Sequence, residues 1–226
     1  MTTVDESRVA DLTANLEAVR ARVAAAARAA GRDPDSVRLI GASKTVPAEE
    51  LAVLVRLGLT DLGENRAQEL LAKAPVLAAL DAVPTWHFVG QLQRNKVPAL
   101  TPHVACWQSV DRIALGEAIA KRAAGARVLV EVNLGAEPQK GGAAPAEVPS
   151  LVEALSSLGL DVAGLMTVAP LEGEPGRWFD ALAALGDRLG LRELSMGMSG
   201  DFEAAIAHGA TMVRVGTALF GARPRP

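Results

Sequence analysis

No tyrosine occurs among the 226 residues, and the other aromatics amount to four phenylalanines and three tryptophans. Chemistry that needs a phenolic acid or base is therefore closed to this chain. A single cysteine, Cys106, excludes an internal disulfide and any site built from several thiolates. The three histidines, His87, His103 and His208, are scattered, so no metal site is expected. Basic residues do not outnumber acidic ones: 23 stand against 26, for a net charge of -3. With so few aromatics, that balance argues against a nucleic-acid-binding face. No apolar run approaches the roughly 18 residues needed to cross a bilayer. The opening Met1-Thr2-Thr3-Val4-Asp5-Glu6-Ser7 lacks the basic-then-apolar layout of a signal peptide, so a cytoplasmic protein is expected. What the chain does have is apolar material: half its residues are hydrophobic, enough for a large core.

Ala-rich amphipathic stretches alternate with short β-branched runs. A helix is expected first, over about Asp5 to Ala30, stopped by Gly31 and Pro34. Eight strand patterns follow: Val37–Ala42, Leu59–Leu62, Trp86–Val89, Val104–Val110, Arg127–Val132, Val162–Thr167, Glu193–Met196 and Thr211–Val215. One helical pattern lies between each pair. Strict alternation predicts a parallel sheet with right-handed crossovers, and eight units suit a closed (β/α)8 TIM barrel. An open doubly wound sheet is the competing architecture, but Gly41-Ala42-Ser43-Lys44 supplies no glycine fingerprint after the first strand. No linker, low-complexity tract or repeat divides the chain, so residues 1–226 are read as a single domain with an extra N-terminal helix.

Polar and glycine-rich exceptions cluster after the strands, where a barrel places its chemistry. Lys44, directly after the first strand, is either an exposed charge or a partly desolvated amine able to form a Schiff base. The segment Ser195-Met196-Gly197-Met198-Ser199-Gly200-Asp201 is either a loop with a helix cap at Ser199 or an anion nest. Barrels often bind phosphate after strands seven and eight, where this segment and Gly216-Thr217 fall. Arg214, between Val213 and Val215, points into the barrel if the valines meet the helices. It then needs a partner carboxylate or a ligand acceptor. His87 reads as a satisfied core histidine rather than a metal ligand, and Cys106 as a small buried side chain. Glu49-Glu50 reads as a first-turn charge preference.

Taken together these residues resemble the pyridoxal 5'-phosphate (PLP) homeostasis proteins, single-domain relatives of the alanine racemase barrel. The match runs through Ala42-Ser43-Lys44-Thr45, Gly63-Glu64-Asn65, the block from Trp86 to Lys96, Ser109-Val110-Asp111-Arg112, Leu194 to Ser199, and Val213 to Gly221. The resemblance implies that Lys44 holds PLP, the vitamin B6 cofactor, as an internal aldimine. It implies that Ser199, Gly216 and Thr217 bind the phosphate, that Asn65, His87, Met166 and Ser195 line the ring pocket, and that Arg214 faces the pyridine nitrogen. A permanently charged arginine there keeps that nitrogen unprotonated and the ring a weak electron sink.

Val46, Leu62, Pro98 and Gly135 depart from the family pattern, and they put roles for the basic rim, Lys96 and Lys140 included, in doubt. Three functions follow from the resemblance and the residues. One is a carrier that holds PLP and supplies it to apo PLP enzymes, as a monomer or weak homodimer, without robust catalysis. A second is an amino-acid racemase or related PLP enzyme, which needs a second acid–base group that this tyrosine-free chain does not obviously supply. The third and weakest is a Schiff-base aldolase acting on phosphorylated sugars.

Overall fold

The computed structural model describes residues 4–170 and 173–221. Eight parallel strands close into a barrel in sequence order, the first pairing with both the second and the eighth. They are β1 (Arg38–Ala42), β2 (Asp61–Glu64), β3 (Thr85–Phe88), β4 (Val104–Val110), β5 (Arg127–Glu131), β6 (Asp161–Met166), β7 (Glu193–Ser195) and β8 (Met212–Val215). The helices are α1 (Glu6–Ala29), α2 (Ala48–Arg56), α3 (Ala67–Ala79), α4 (Val97–Leu100), α5 (Ile113–Ala120), α6 (Val148–Ser157), α7 (Pro175–Leu189), α8 (Phe202–Ala207) and α9 (Thr217–Phe220). The open-sheet alternative is thereby excluded. The last element, α9, carries no prediction from the sequence, because four residues are too few to show a helical period. Among the described residues no helix is long and apolar enough to cross a membrane.

Strand alternation sorts the core into two parts. Val213 and Val215 join the large shell between strands and helices, while Met212 packs inside the barrel with Ile40, Cys106, Leu129 and Met166. That inner cluster fills the lumen, so ligands are confined to its mouth. Burial pushes the Cys106 thiol up to about 12, as expected of a packed rather than reactive cysteine.

Helix α1 starts where the Asp5 carboxylate accepts from the Ser7 N–H and ends at Ala30, before Gly31 at φ 68°. Its buried stripe, Leu12, Leu16, Val19, Val23 and Ala27, keeps helical spacing. Burying four such aliphatic side chains contributes roughly 1.5–3 kcal/mol each and seats α1 against α2, α8 and α9. Polar anchors fix its register: Arg8 donates to Glu50 and to the Phe220 carbonyl, and Asn15 to the Leu219 carbonyl.

Candidate functional site

Lys44 is half-buried two residues beyond β1, and among the described residues its amine has neither hydrogen-bond nor ion-pair partner. The backbone on either side of it is clamped. The Ser43 N–H donates to the Gly63 carbonyl at 2.9 Å, and its hydroxyl to Glu64 at 2.9 Å. The buried Lys73 ammonium reaches the Ser43 carbonyl at 2.8 Å, Glu64 at 2.6 Å and Glu69 at 2.9 Å. Thr45 adopts φ 64°, a left-handed conformation costly for a β-branched residue, and its N–H donates to Glu69 at 2.8 Å. Three charged side chains from β2 and α3 thus hold the turn that presents Lys44.

A cavity of about 470 Å³ is lined by Lys44, Gly216 and Thr217, with Ala42, Val46, Arg8, Glu50 and Phe220 on its walls. Residues from the first and last strands are brought together because β1 and β8 are neighbours in the closed barrel. Ser199 joins them through its hydroxyl oxygen, which accepts from the N–H groups of Gly216 at 3.1 Å and Ala218 at 3.4 Å. Ser199 is not the cap of α8. Asp201 occupies that position, and its carboxylate accepts from the Met198 N–H to tie the loop. Gly197, at φ 91°, lets the loop fold onto the helix, since a Cβ would lie 2.6 Å from that of Ala205. Among the described residues the N–H groups of Ser199, Gly200 and Thr217 have no acceptor.

Two residues before Gly216, on β8, lies Arg214, 6% exposed. It points inward as alternation predicts, but no carboxylate among the described residues pairs with it. It donates to the Ser195 hydroxyl at 2.7 Å and to the Thr167 carbonyl at 2.8 Å. Burial pushes its guanidinium down to about 10, while the charges of Glu131 and Asp201 act the other way, so it stays charged at neutral pH. Ser195 donates to Gln108, and His87 has both ring nitrogens engaged, one by Gln108 and the other by Asp61. His87 is therefore a satisfied core histidine one layer below the mouth. Met166 is buried in the lumen cluster. Asn65 lies elsewhere, in a neighbouring cavity of about 610 Å³ with Arg66, Gln91, Lys96, Asp111 and Arg112. Among the described residues its side-chain amide oxygen is buried without a partner. Gly90 lets the backbone of Asn65 approach, because a Cβ there would stand 2.2 Å from the Asn65 backbone carbonyl oxygen.

Among the residues of the departing pattern, Gly135 has a steric reason: a Cβ would meet the Pro170 ring at 2.5 Å. Lys140 is tied down, to Glu137 at 2.6 Å and to the Ala169 carbonyl. Sequence reading missed Arg8, Gln108 and Glu131. Nothing in the sequence marks Arg8 among the polar residues of α1. Gln108 and Glu131 could have been noticed as polar residues at inward positions of apolar strands.

Glu131, 9% exposed at the end of β5, has a carboxylate oxygen without a partner among the described residues. Burial, then the charge of Asp111, pushes its pKa from 4.5 to about 7. Below pH 4.5 the group is neutral whether folded or unfolded and costs nothing; between 4.5 and 7 only the unfolded chain ionises it. The folded state thus loses stability across that window. Glu131→Gln is expected to leave stability at pH 4 unchanged and to raise it by up to about 3 kcal/mol at pH 8. Urea unfolding at the two pH values checks this; equal effects at both would contradict it.

Residues 14–224 match the model of the alanine racemase N-terminal domain. The pyridoxal phosphate homeostasis protein of Pseudomonas aeruginosa is 43% identical over 92% of this chain and 94% of its own. A crystal structure of an unknown protein from Bifidobacterium adolescentis is 38% identical, with a TM-score of 0.92 over 97% of this chain and 98% of that one. PipY of Synechococcus elongatus, solved with PLP bound, is 35% identical, with a TM-score of 0.79 over 93% of this chain and all of its own. An eight-stranded barrel, a lysine beyond its first strand and identity sustained from end to end agree: the chain belongs to the pyridoxal phosphate homeostasis proteins, on the alanine racemase N-terminal fold.

Proposed function

We propose that this chain, acting as one domain over residues 1–226, is a cytoplasmic PLP carrier. It holds the cofactor as a Schiff base on Lys44 and supplies it to apo PLP enzymes. The observation that carries the reading is the unpartnered Lys44 amine sharing a cavity with Gly216 and Thr217. The residues fit the group. A primary amine meets the aldehyde, and free N–H groups at Ser199, Gly200 and Thr217 suit a phosphate. PLP supplies an electrophilic carbon that a lysine captures reversibly. Asn65, Met166, Ser195 and His87 belong to the ring pocket or its support, and Arg214 offers a donor to the ring nitrogen without giving up its proton.

A second reading, a racemase, shares the barrel. Two-base racemisation needs an acid–base group on the face opposite the lysine. Neither His87, committed to Asp61 and Gln108, nor a tyrosine is available for it. The purified protein is expected to show an absorption band in the violet region and to transfer that chromophore to an apoenzyme of known activity. D- or L-alanine incubated with the loaded protein is expected to keep its configuration. Sustained interconversion at enzyme-like rates would replace the carrier by the racemase, and a colourless protein that does not take up PLP would end both readings.

A further inference from the structure

We propose that Asp61 and His87 are positioning residues for the ligand: together with Gln108 and Ser195 they set how Arg214 is presented at the barrel mouth. The inference rests on the reading in which Arg214 faces the ring nitrogen of PLP. Five side chains from five strands form one chain of hydrogen bonds through the lumen. Arg214 on β8 donates to Ser195 on β7 at 2.7 Å. Ser195 donates across the barrel to the Gln108 carbonyl oxygen on β4 at 2.6 Å. The Gln108 amide nitrogen lies 2.8 Å from His87 Nδ1, on β3. His87 Nε2 lies 2.8 Å from Asp61, at the start of β2. Gln108 and Ser195 are fully buried and His87 is nearly so.

The two ends fix the direction of every bond between them. A guanidinium can only donate and an ionised carboxylate can only accept. Burial acts to raise the Asp61 carboxyl, but its hydrogen bonds with His87 and Thr60 and the nearby charges, that of Arg38 among them, outweigh it and hold it below its ordinary value. Starting from Arg214, the Ser195 oxygen is an acceptor, so its one hydrogen goes to Gln108. Starting from Asp61, His87 must carry its hydrogen on Nε2, which leaves Nδ1 bare for the Gln108 amide. Turning Gln108 over would set two donors against Ser195, leaving its hydroxyl hydrogen without an acceptor, and would set the Gln108 oxygen against the bare His87 Nδ1. Without Asp61 only the Arg214 end opposes the reversed chain: His87 can carry its hydrogen on Nδ1 and donate to a turned Gln108, whose amide then competes with Arg214 for the Ser195 oxygen. Arg214 has no carboxylate partner among the described residues to hold it otherwise.

The test compares two probes binding to the apo protein: PLP, and its 1-deaza analogue, in which a CH replaces the ring nitrogen. Arg214→Leu is expected to lower affinity for PLP about tenfold and to leave the analogue unchanged. Gln108→Leu and Asp61→Leu are expected to produce the same selective loss, and Asp61→Asn, which keeps an acceptor, to restore most of the affinity. A merely structural role would weaken both probes alike, and that result for Gln108→Leu and Asp61→Leu, with Arg214→Leu still selective, overturns the relay alone. No selectivity in Arg214→Leu overturns the ring-nitrogen reading and the proposal with it. Nitrogen-15 NMR of the unaltered protein needs no variant: His87 is expected as the neutral tautomer protonated at Nε2, and an Nδ1-protonated ring overturns the relay.

Discussion

Lys44→Ala is expected to abolish the violet-region band and the mass increment that borohydride leaves on the Lys44 peptide. The effect should be complete because, among the described residues, no other lysine lines the cavity of Gly216 and Thr217. Lys73 approaches the same turn, but its three donors are spent on the Ser43 carbonyl, Glu64 and Glu69. Lys140 is held by Glu137 and the Ala169 carbonyl. Weak, non-covalent binding of PLP should survive in the variant, since the N–H groups at Ser199, Gly200 and Thr217 do not depend on the lysine. Absorption spectra and peptide mass spectrometry after reduction measure both parts. A band of undiminished strength in Lys44→Ala would refute the lysine assignment.

Lys73→Met is expected to destabilise the fold by about 3–5 kcal/mol, the usual cost of stranding the other half of a buried ion pair. Glu64 is fully buried, and its carboxylate is left with Ser43 and the backbone N–H groups of Asn65 and Arg66. The same change releases the Ser43 carbonyl, so the turn that carries Lys44 loses one of its clamps. Adding Glu64→Gln should recover much of the stability, because the stranded charge is then removed. Urea unfolding of the single and double variants checks the prediction; a loss below about 1 kcal/mol for Lys73→Met would show that the buried pair matters little.

Much of this architecture was legible in the order of residues. Every strand predicted from alternating or β-branched runs lies within a residue or two of an observed one, because parallel strands buried on both sides must be short and apolar. The inward turn of Arg214 followed from the valines on either side of it. Lys44, Ser199 and Gly216-Thr217 stood out as polar or glycine-rich residues directly after strands. The sequence leaves Ser199 between a helix cap and an anion nest, because a hydroxyl before a helix looks the same whether it caps that helix or accepts from another loop.

The linear order determined the eightfold alternation and the family, since period and composition are properties of neighbouring residues. Closure of β1 on β8 is what joined Lys44 to Gly216 and Thr217, residues about 170 positions apart. Folding alone also enclosed Glu64 with Lys73, left Glu131 without a partner among the described residues, and strung Arg214 to Asp61 through three neutral side chains. Burial and distance decide such pairings, and neither quantity exists until the barrel has closed.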